Sequence, residues 1–264
     1  MNVELLKDLD RGGGWTLMVG GAEQSYVDID DPAHLEFEYM QHIGLVIDAT
    51  YADRAPLDVV HLGGGALTMP RWIAATRPGS KQLVFEASQE ILDAVRPLGP
   101  VPNCVVRLGE AVDGIAALAR ETVDVAIWDL YEGPRAVTAA LDLAALWLLR
   151  RVLRPSGIAV LNVSDVTPFA VVRPVLAGLR TVADEVALLA EPATLRGRRS
   201  GNCVLVAGPS SLPIEALRRT AAAAPARARV VAGDAMTEFV GGAVPATADA
   251  PLPKPDEATG RAFL

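Results

Sequence analysis

The stretch Val59–Val60–His61–Leu62–Gly63–Gly64–Gly65–Ala66 decides the fold. A short apolar run feeds three consecutive glycines, and a helical pattern opens near Thr68. Glycine is needed where a backbone must turn tightly and let a ligand approach within van der Waals distance. The helix start adds unpaired N–H groups and a partial positive charge. Glu86 ends the next apolar run, Gln82 to Phe85, at the interval of about 20 residues where an acid accepts hydrogen bonds from ribose hydroxyls. Three glycines alone also suit an ordinary tight turn. The spaced acid inside a βαβ unit favours a nucleoside.

Outward from this unit, apolar strands and amphipathic helices alternate from Asp58 to about Gly233. The strand candidates are Val59–Leu62, Gln82–Glu86, Cys104–Leu108, Val123–Asp129, Gly157–Val163, Glu185–Leu189 and Cys203–Ala207. Helical patterns cover Met69–Thr76, Ser88–Val95, Val112–Arg120, Arg135–Leu153, Phe169–Val182 and Ile214–Ala224. Such alternation implies an α/β fold with a mostly parallel, Rossmann-like sheet covered on both faces. The last two strand candidates suggest an antiparallel end, and a short run at Val230 and Val231 follows. Residues 1–55 read as a β-rich opening segment, with a hairpin turn at Gly20–Gly21 and a helix over Pro32–Asp48. The catalytic domain is therefore expected over 56–239. A Pro- and Ala-rich tail over 240–264 is expected to be mobile or to drape over a neighbour.

Composition narrows the partners. The chain of 264 residues carries a formal net charge of −8, which gives no electrostatic footprint for nucleic acid. No apolar run approaches the roughly 18 to 20 residues that cross a bilayer, so no membrane partner is expected. Only Cys104 and Cys203 are present and the start lacks an apolar leader, which points to a reducing, cytoplasmic setting. His34, His42 and His61 have no metal-ligand spacing, so no metal is expected and His61 reads as a satisfied core residue. Trp147, Leu148 and Leu149 read as core or as an oligomer face, and Arg196, Arg198 and Arg199 as a solvated turn. Serine hydrolase, Walker-loop and zinc signatures are missing from the sequence.

Two further strand ends carry candidate chemistry. Gly109–Glu110–Ala111 closes the third strand, where Glu110 faces an adenine amino group or serves as a helix-start carboxylate. Asp129 emerges at the mouth of the sheet beside the glycine loop, with Glu132 in the turn beyond it. Two carboxylates there suit holding a cationic amine and taking its proton, since a protonated amine has no lone pair for attack. A capping Asp beside a surface Glu is the plainer alternative.

Together these segments resemble the spermidine synthase family of aminopropyltransferases, a branch of the S-adenosylmethionine-dependent methyltransferase fold. The resemblance spans roughly residues 14 to 210. It rests on Gly21–Ala22–Glu23–Gln24–Ser25, Glu36–Phe37–Glu38–Tyr39, Gly63–Gly65 with Glu86, Gly109–Glu110–Ala111, and Asp129 to Pro134. It implies a seven-stranded Rossmann-like domain behind a small β-rich segment. The implied activity moves an aminopropyl group from decarboxylated S-adenosylmethionine to a diamine such as putrescine. By the same resemblance, Gln24, Gly63, Gly64, Gly65 and Glu86 bind the nucleoside part, Glu110 and Ala111 the adenine, and Asp129 accepts the proton. Tyr39, Gln41 and Glu132 fall on the amine side, and a homodimer or homotetramer is implied.

The departures from that family pattern bear on the amine half. The family loop Gly-Gly-Gly-Asp-Gly-Gly has Ala66, Leu67 and Thr68 after its first three glycines here, and Tyr-His-Glu has become Tyr39–Met40–Gln41. Losing carboxylate contacts to ammonium groups, each worth about 1.5–3 kcal/mol, removes several powers of ten in affinity. A methyltransferase using intact S-adenosylmethionine on a non-polyamine substrate is therefore a second expectation. A non-catalytic nucleoside-binding homologue is a third.

Overall fold

The structure is a computed structural model, and it describes residues 2–132, 135–136 and 140–253. Three strands open the chain: β1 (Val3–Lys7), β2 (Gly14–Val19) and β3 (Ala22–Asp28). The first half of the main sheet follows as α1 (Glu38–Thr50), β4 (Asp58–Leu62), α2 (Thr68–Thr76), β5 (Lys81–Glu86), α3 (Gln89–Val95), β6 (Cys104–Leu108), α4 (Ala111–Ala116) and β7 (Val123–Trp128). Then come β8 (Tyr131–Glu132), β9 (Arg135–Ala136), α5 (Leu143–Val152), β10 (Leu153–Asp165) and α6 (Val172–Val182). The chain continues through β11 (Glu185–Ala190), α7 (Pro192–Leu195), β12 (Gly201–Gly208), α8 (Ile214–Ala223), β13 (Arg229–Ala232) and α9 (Asp234–Val240).

The main sheet has eight strands in the order β13-β11-β12-β10-β7-β4-β5-β6. The seven expected strands are all in it, and the Val230–Val231 run supplies the eighth as β13. Pairing is parallel from β10 through β6, whereas β12 is antiparallel to β10 and β11, and β13 to β11. The inner strands are apolar on both sides because helices cover both faces, whereas Val105, Val106 and Leu108 of the edge strand β6 are exposed. One face packs under α5, α6 and α9 through Leu146, Leu149, Leu176 and Met236. The other packs under α1, α2 and α8 through Ile43, Ile47, Trp72 and Leu217. Among the described residues no helix is long and apolar enough to cross a membrane.

Several expected helices are shorter than their sequence patterns: Val112–Arg120 ends at Ala116 and Phe169–Val182 begins at Val172. The Pro32–Asp48 pattern becomes helix only from Glu38, because the Gln41 side-chain amide donates to the carbonyls of Leu35 (2.8 Å) and Glu36 (3.3 Å) and holds that stretch in a loop. The Arg135–Leu153 pattern becomes helix only from Leu143, where the Asp142 carboxylate accepts from the Ala145 N–H at 2.9 Å. The stretch before it begins with the β8–β9 hairpin. The tail, expected to be mobile or to drape over a neighbour, packs in part against its own chain. Ala246 and Leu252 are buried in the α5–α6 face, and Ala246 O accepts from Leu143 N. Residues beyond 253 lie outside the described set.

The small sheet β1–β2–β3 closes over the start of α2. Leu17, Val19 and Val27 form one apolar cluster with Ala66 and with Ile91 and Val95 of α3. Ser25 Oγ and Thr68 Oγ1 lie 3.1 Å apart, and Thr68 Oγ1 donates to the Tyr26 carbonyl at 2.7 Å.

Gly63 sits where β4 leaves the sheet, with φ of +101°. A side chain there would overlap the carbonyl oxygen of Asp129 and force a left-handed backbone. Gly63→Ala is expected to destabilise the protein by at least about 2 kcal/mol. Urea denaturation should show a lower midpoint with an unchanged slope.

Candidate functional site

Strand register builds the site. Leu62, Phe85, Trp128 and Leu161 are paired neighbours across β5, β4, β7 and β10. The next residue on each strand is Glu86, Gly63, Asp129 and Asn162, so these four form a row at the carboxyl edge of the sheet. Strand order reverses there, with β5 and β6 on one side of β4 and β7 and β10 on the other. A ligand crevice is the expected consequence of that switch point.

The crevice is a cavity of about 490 Å³. Gly63, Gly64 and Gly65 line it together with Gln24, Glu86, Glu110 and Ala111, so every nucleoside-side residue picked from the sequence reaches one space. Glu86 is nearly buried, and its carboxylate accepts from Gly64 N–H and Ser88 N–H, each at 2.9 Å. It thereby ties the glycine loop to the start of α3. Each oxygen keeps a second lone pair for a hydroxyl donor. Glu110 precedes α4 without capping it through its side chain, which leaves its carboxylate free of the helix start.

Asp129 and Tyr39 also line this cavity. Tyr39 OH donates to Asp129 Oδ2 at 3.0 Å, and Asn162 Nδ2 donates to Oδ1 at 2.9 Å. Burial raises the Asp129 carboxyl above the ordinary aspartate range, and these two neutral donors pull it only partly back. His61 lies against the same cavity, bonded to Gln82 Oε1 at 2.9 Å. Burial lowers it to about 4, which keeps it neutral.

The remaining picks separate. Gln41 is held by the Leu35 and Glu36 carbonyls, as described above, and does not line the cavity. Glu132 is placed by its backbone in β8, and Gly133 and Pro134 lie outside the described residues. Arg199 pairs with Glu191 and comes within 4.0 Å of Glu38, which joins the basic loop to α1. Sequence reading missed Tyr131, Asn162, Ser164 and Asn202; the β7–β10 register sets Asn162 beside Asp129, and the β10–β12 register brings Asn202 opposite Ser164. Among the described residues no group of three or more His, Cys, Asp or Glu side chains is arranged to hold a metal.

Comparison with solved structures places this geometry. The fold superposes on that of a probable spermidine synthase from Corynebacterium glutamicum ATCC 13032 with a TM-score of 0.83, at 28% identity over 92% of this chain and 91% of that one. The chain is thus similar to a probable spermidine synthase along nearly its whole length. A spermidine synthase in complex with the transition state analogue AdoDATO matches this spermidine-synthase-like chain with a TM-score of 0.58, at 16% identity over 83% of it and 73% of the other. Human methyltransferase-like protein 13 in complex with SAH matches with a TM-score of 0.54, at 20% identity over 69% of this chain and 90% of that one. No family model and no curated protein sequence matches the chain.

The raised Asp129 pKa sets a test of stability. Folding favours its neutral form, so this group lowers stability as pH rises from the unfolded aspartate value through the folded one. Asparagine carries no such dependence. Asp129→Asn is expected to melt a few degrees higher than the parent at neutral pH, with the gap closing in acid. Thermal melts across that pH range check it, and a lower melting point at neutral pH contradicts it.

Proposed function

We propose that the chain is a spermidine synthase-like transferase that binds an adenosyl sulfonium in the cavity at the sheet edge and passes one of its alkyl groups to an amine. The carrying observation is the row of Gly63, Glu86 and Asp129 along one cavity wall. It sets a nucleoside cradle beside a partly buried carboxylate held by two neutral donors. The solved complexes with AdoDATO and SAH in proteins of this fold support an adenosyl ligand.

The chemistry follows from that placement. The acceptor nitrogen attacks the carbon next to the sulfonium and forms a C–N bond. The C–S bond breaks, its electron pair stays on sulfur, and a neutral thioether leaves. Asp129 takes the proton that the acceptor nitrogen gives up. Alignment of the two reactants and formation of the neutral amine supply the rate enhancement.

Charge along the wall favours the decarboxylated sulfonium and an aminopropyl transfer. Glu86, Glu90, Glu110 and Asp129 all line the cavity, with no Lys or Arg among its described residues. Such a wall attracts a cation and offers an added carboxylate no cationic partner. One observation favours methyl transfer from intact S-adenosylmethionine instead. Ala66, at the family's loop acid, is fully buried against Leu17, Val27 and Ile91, so the loop offers no carboxylate to a transferring amine.

Calorimetry with S-adenosylmethionine, its decarboxylated form and methylthioadenosine, followed by product analysis with amine acceptors, separates these readings. The decarboxylated form should bind tightest and give an aminopropyl product. Preference for the carboxylated form selects methyl transfer, and nucleoside binding without any turnover removes the enzymatic reading. Asp129→Asn should lower turnover by about 10²–10⁴-fold while nucleoside affinity stays within a small factor. In the parent, turnover should rise with pH through the raised Asp129 value, because only the carboxylate accepts the proton.

A further inference from the structure

A second cavity, about 220 Å³, adjoins the first, and Gln24, Tyr39 and Tyr131 belong to both. Apart from the exposed Glu23, the polar groups of its described wall are uncharged. Tyr131 OH lies 2.8 Å from Ser164 Oγ and 3.3 Å from Asn202 Oδ1, and Ser164 Oγ donates to the same Asn202 oxygen at 2.6 Å. Burial pushes the Tyr131 hydroxyl upward, so it stays neutral. Asn162, only 2% exposed, also lines this cavity. Its Nδ2 donates to Asp129, and its Oδ1 has no hydrogen-bond partner.

We infer that this second cavity selects the acceptor, and that it takes a molecule with one amine joined to an uncharged hydroxyl or amide end rather than a diamine. The inference rests on the transferase reading above. An amine seated on Asp129 meets a carboxylate that Asn162 Nδ2 and Tyr39 OH already hold in place, and that fixed contact orients the nitrogen lone pair. The far end of the acceptor then meets Tyr131, Ser164 and Asn202, which donate and accept without charge. The second ammonium of a diamine would lose its water there and gain no counter-ion. Glu23, the one other carboxylate among the described lining residues, is exposed to solvent and so gives weak pairing. Beyond Asn202, the carboxylate of Glu191 is already paired with Arg199.

The test uses the full chain saturated with decarboxylated S-adenosylmethionine, or with the sulfonium it prefers. Competing acceptors are 3-amino-1-propanol and 1,3-diaminopropane, with products resolved by mass spectrometry and binding measured by calorimetry on the methylthioadenosine complex. The amino alcohol should be favoured at least about tenfold in kcat/KM or, where turnover is slow, in affinity. Asn202→Asp, which adds a carboxylate at the far end, should shift the preference toward the diamine by about tenfold or more, with nucleoside affinity unchanged as evidence of folding. Preference of the parent for the diamine overturns the inference, as does failure of both acceptors to bind a nucleoside-loaded protein. Failure to bind any of the three nucleosides overturns the transferase reading itself, and this inference with it.

Discussion

The constraint on which the site depends is the close approach of the Gly63 turn to the carbonyl oxygen of Asp129, where a Cβ on Gly63 would overlap that oxygen. It lies where β4 and β7 part, and hydrogen bonds extend the sheet past the strands on both sides of it. Asp129 N donates to Leu62 O at 2.8 Å, and Gly63 N donates to Phe85 O at 2.9 Å. Glu86 O, one residue further along β5, accepts from Gly109 N at 2.9 Å. The glycine turn, both acids and the start of the Glu110 loop are thus carried by one run of backbone bonds. A shift at any strand end would move the nucleoside cradle and the proton acceptor together.

The opening sheet contributes to the same geometry from outside the main one. Its apolar face buries Ala66, and the Ser25–Thr68–Tyr26 hydrogen bonds fasten β3 to the first turn of α2. Gln24, next to Ser25, consequently stands on the wall shared by the two cavities. An acid in place of Ala66 would be buried without a partner in this packing, which is costly. The missing loop carboxylate is therefore a property of how the small sheet docks, beyond the change of one side chain.

Legibility in the sequence followed the range of the interactions. Strands of the main sheet announce themselves as Val- and Leu-rich runs, and each of the seven expected runs lies in it. The glycine loop with Glu86 was readable because its parts are joined by short-range spacing. Helix starts were less so. Asp142 is a strong capping residue, and it ends the Arg135–Leu153 pattern's claim to be one helix. Gln41 looked like a site residue from its place beside Tyr39, whereas its amide satisfies two carbonyls of the preceding loop. The wall of Tyr131, Asn162, Ser164 and Asn202 had no local signal at all. It forms because β10 lies parallel beside β7, which sets Asn162 next to Asp129, and because β12 returns antiparallel beside β10 and brings Asn202 opposite Ser164.

The electrostatics of the two cavities argue for reactants that bring positive charge with them. Asp129 is held by a phenol and an amide, neither of which cancels its charge, and burial leaves it under-compensated. An arginine in either place would have lowered its basicity and repelled a sulfonium. Neutral donors fix the carboxylate's position while leaving its field open toward the cavity. A sulfonium entering on the Glu86 side and an ammonium on the Asn162 side would both relieve that field. Once the amine gives its proton to Asp129, the two charges at the acceptor end cancel, and the lone pair faces the remaining cation. The same buried acid that costs the empty fold stability thus favours the reactive arrangement when both partners are present.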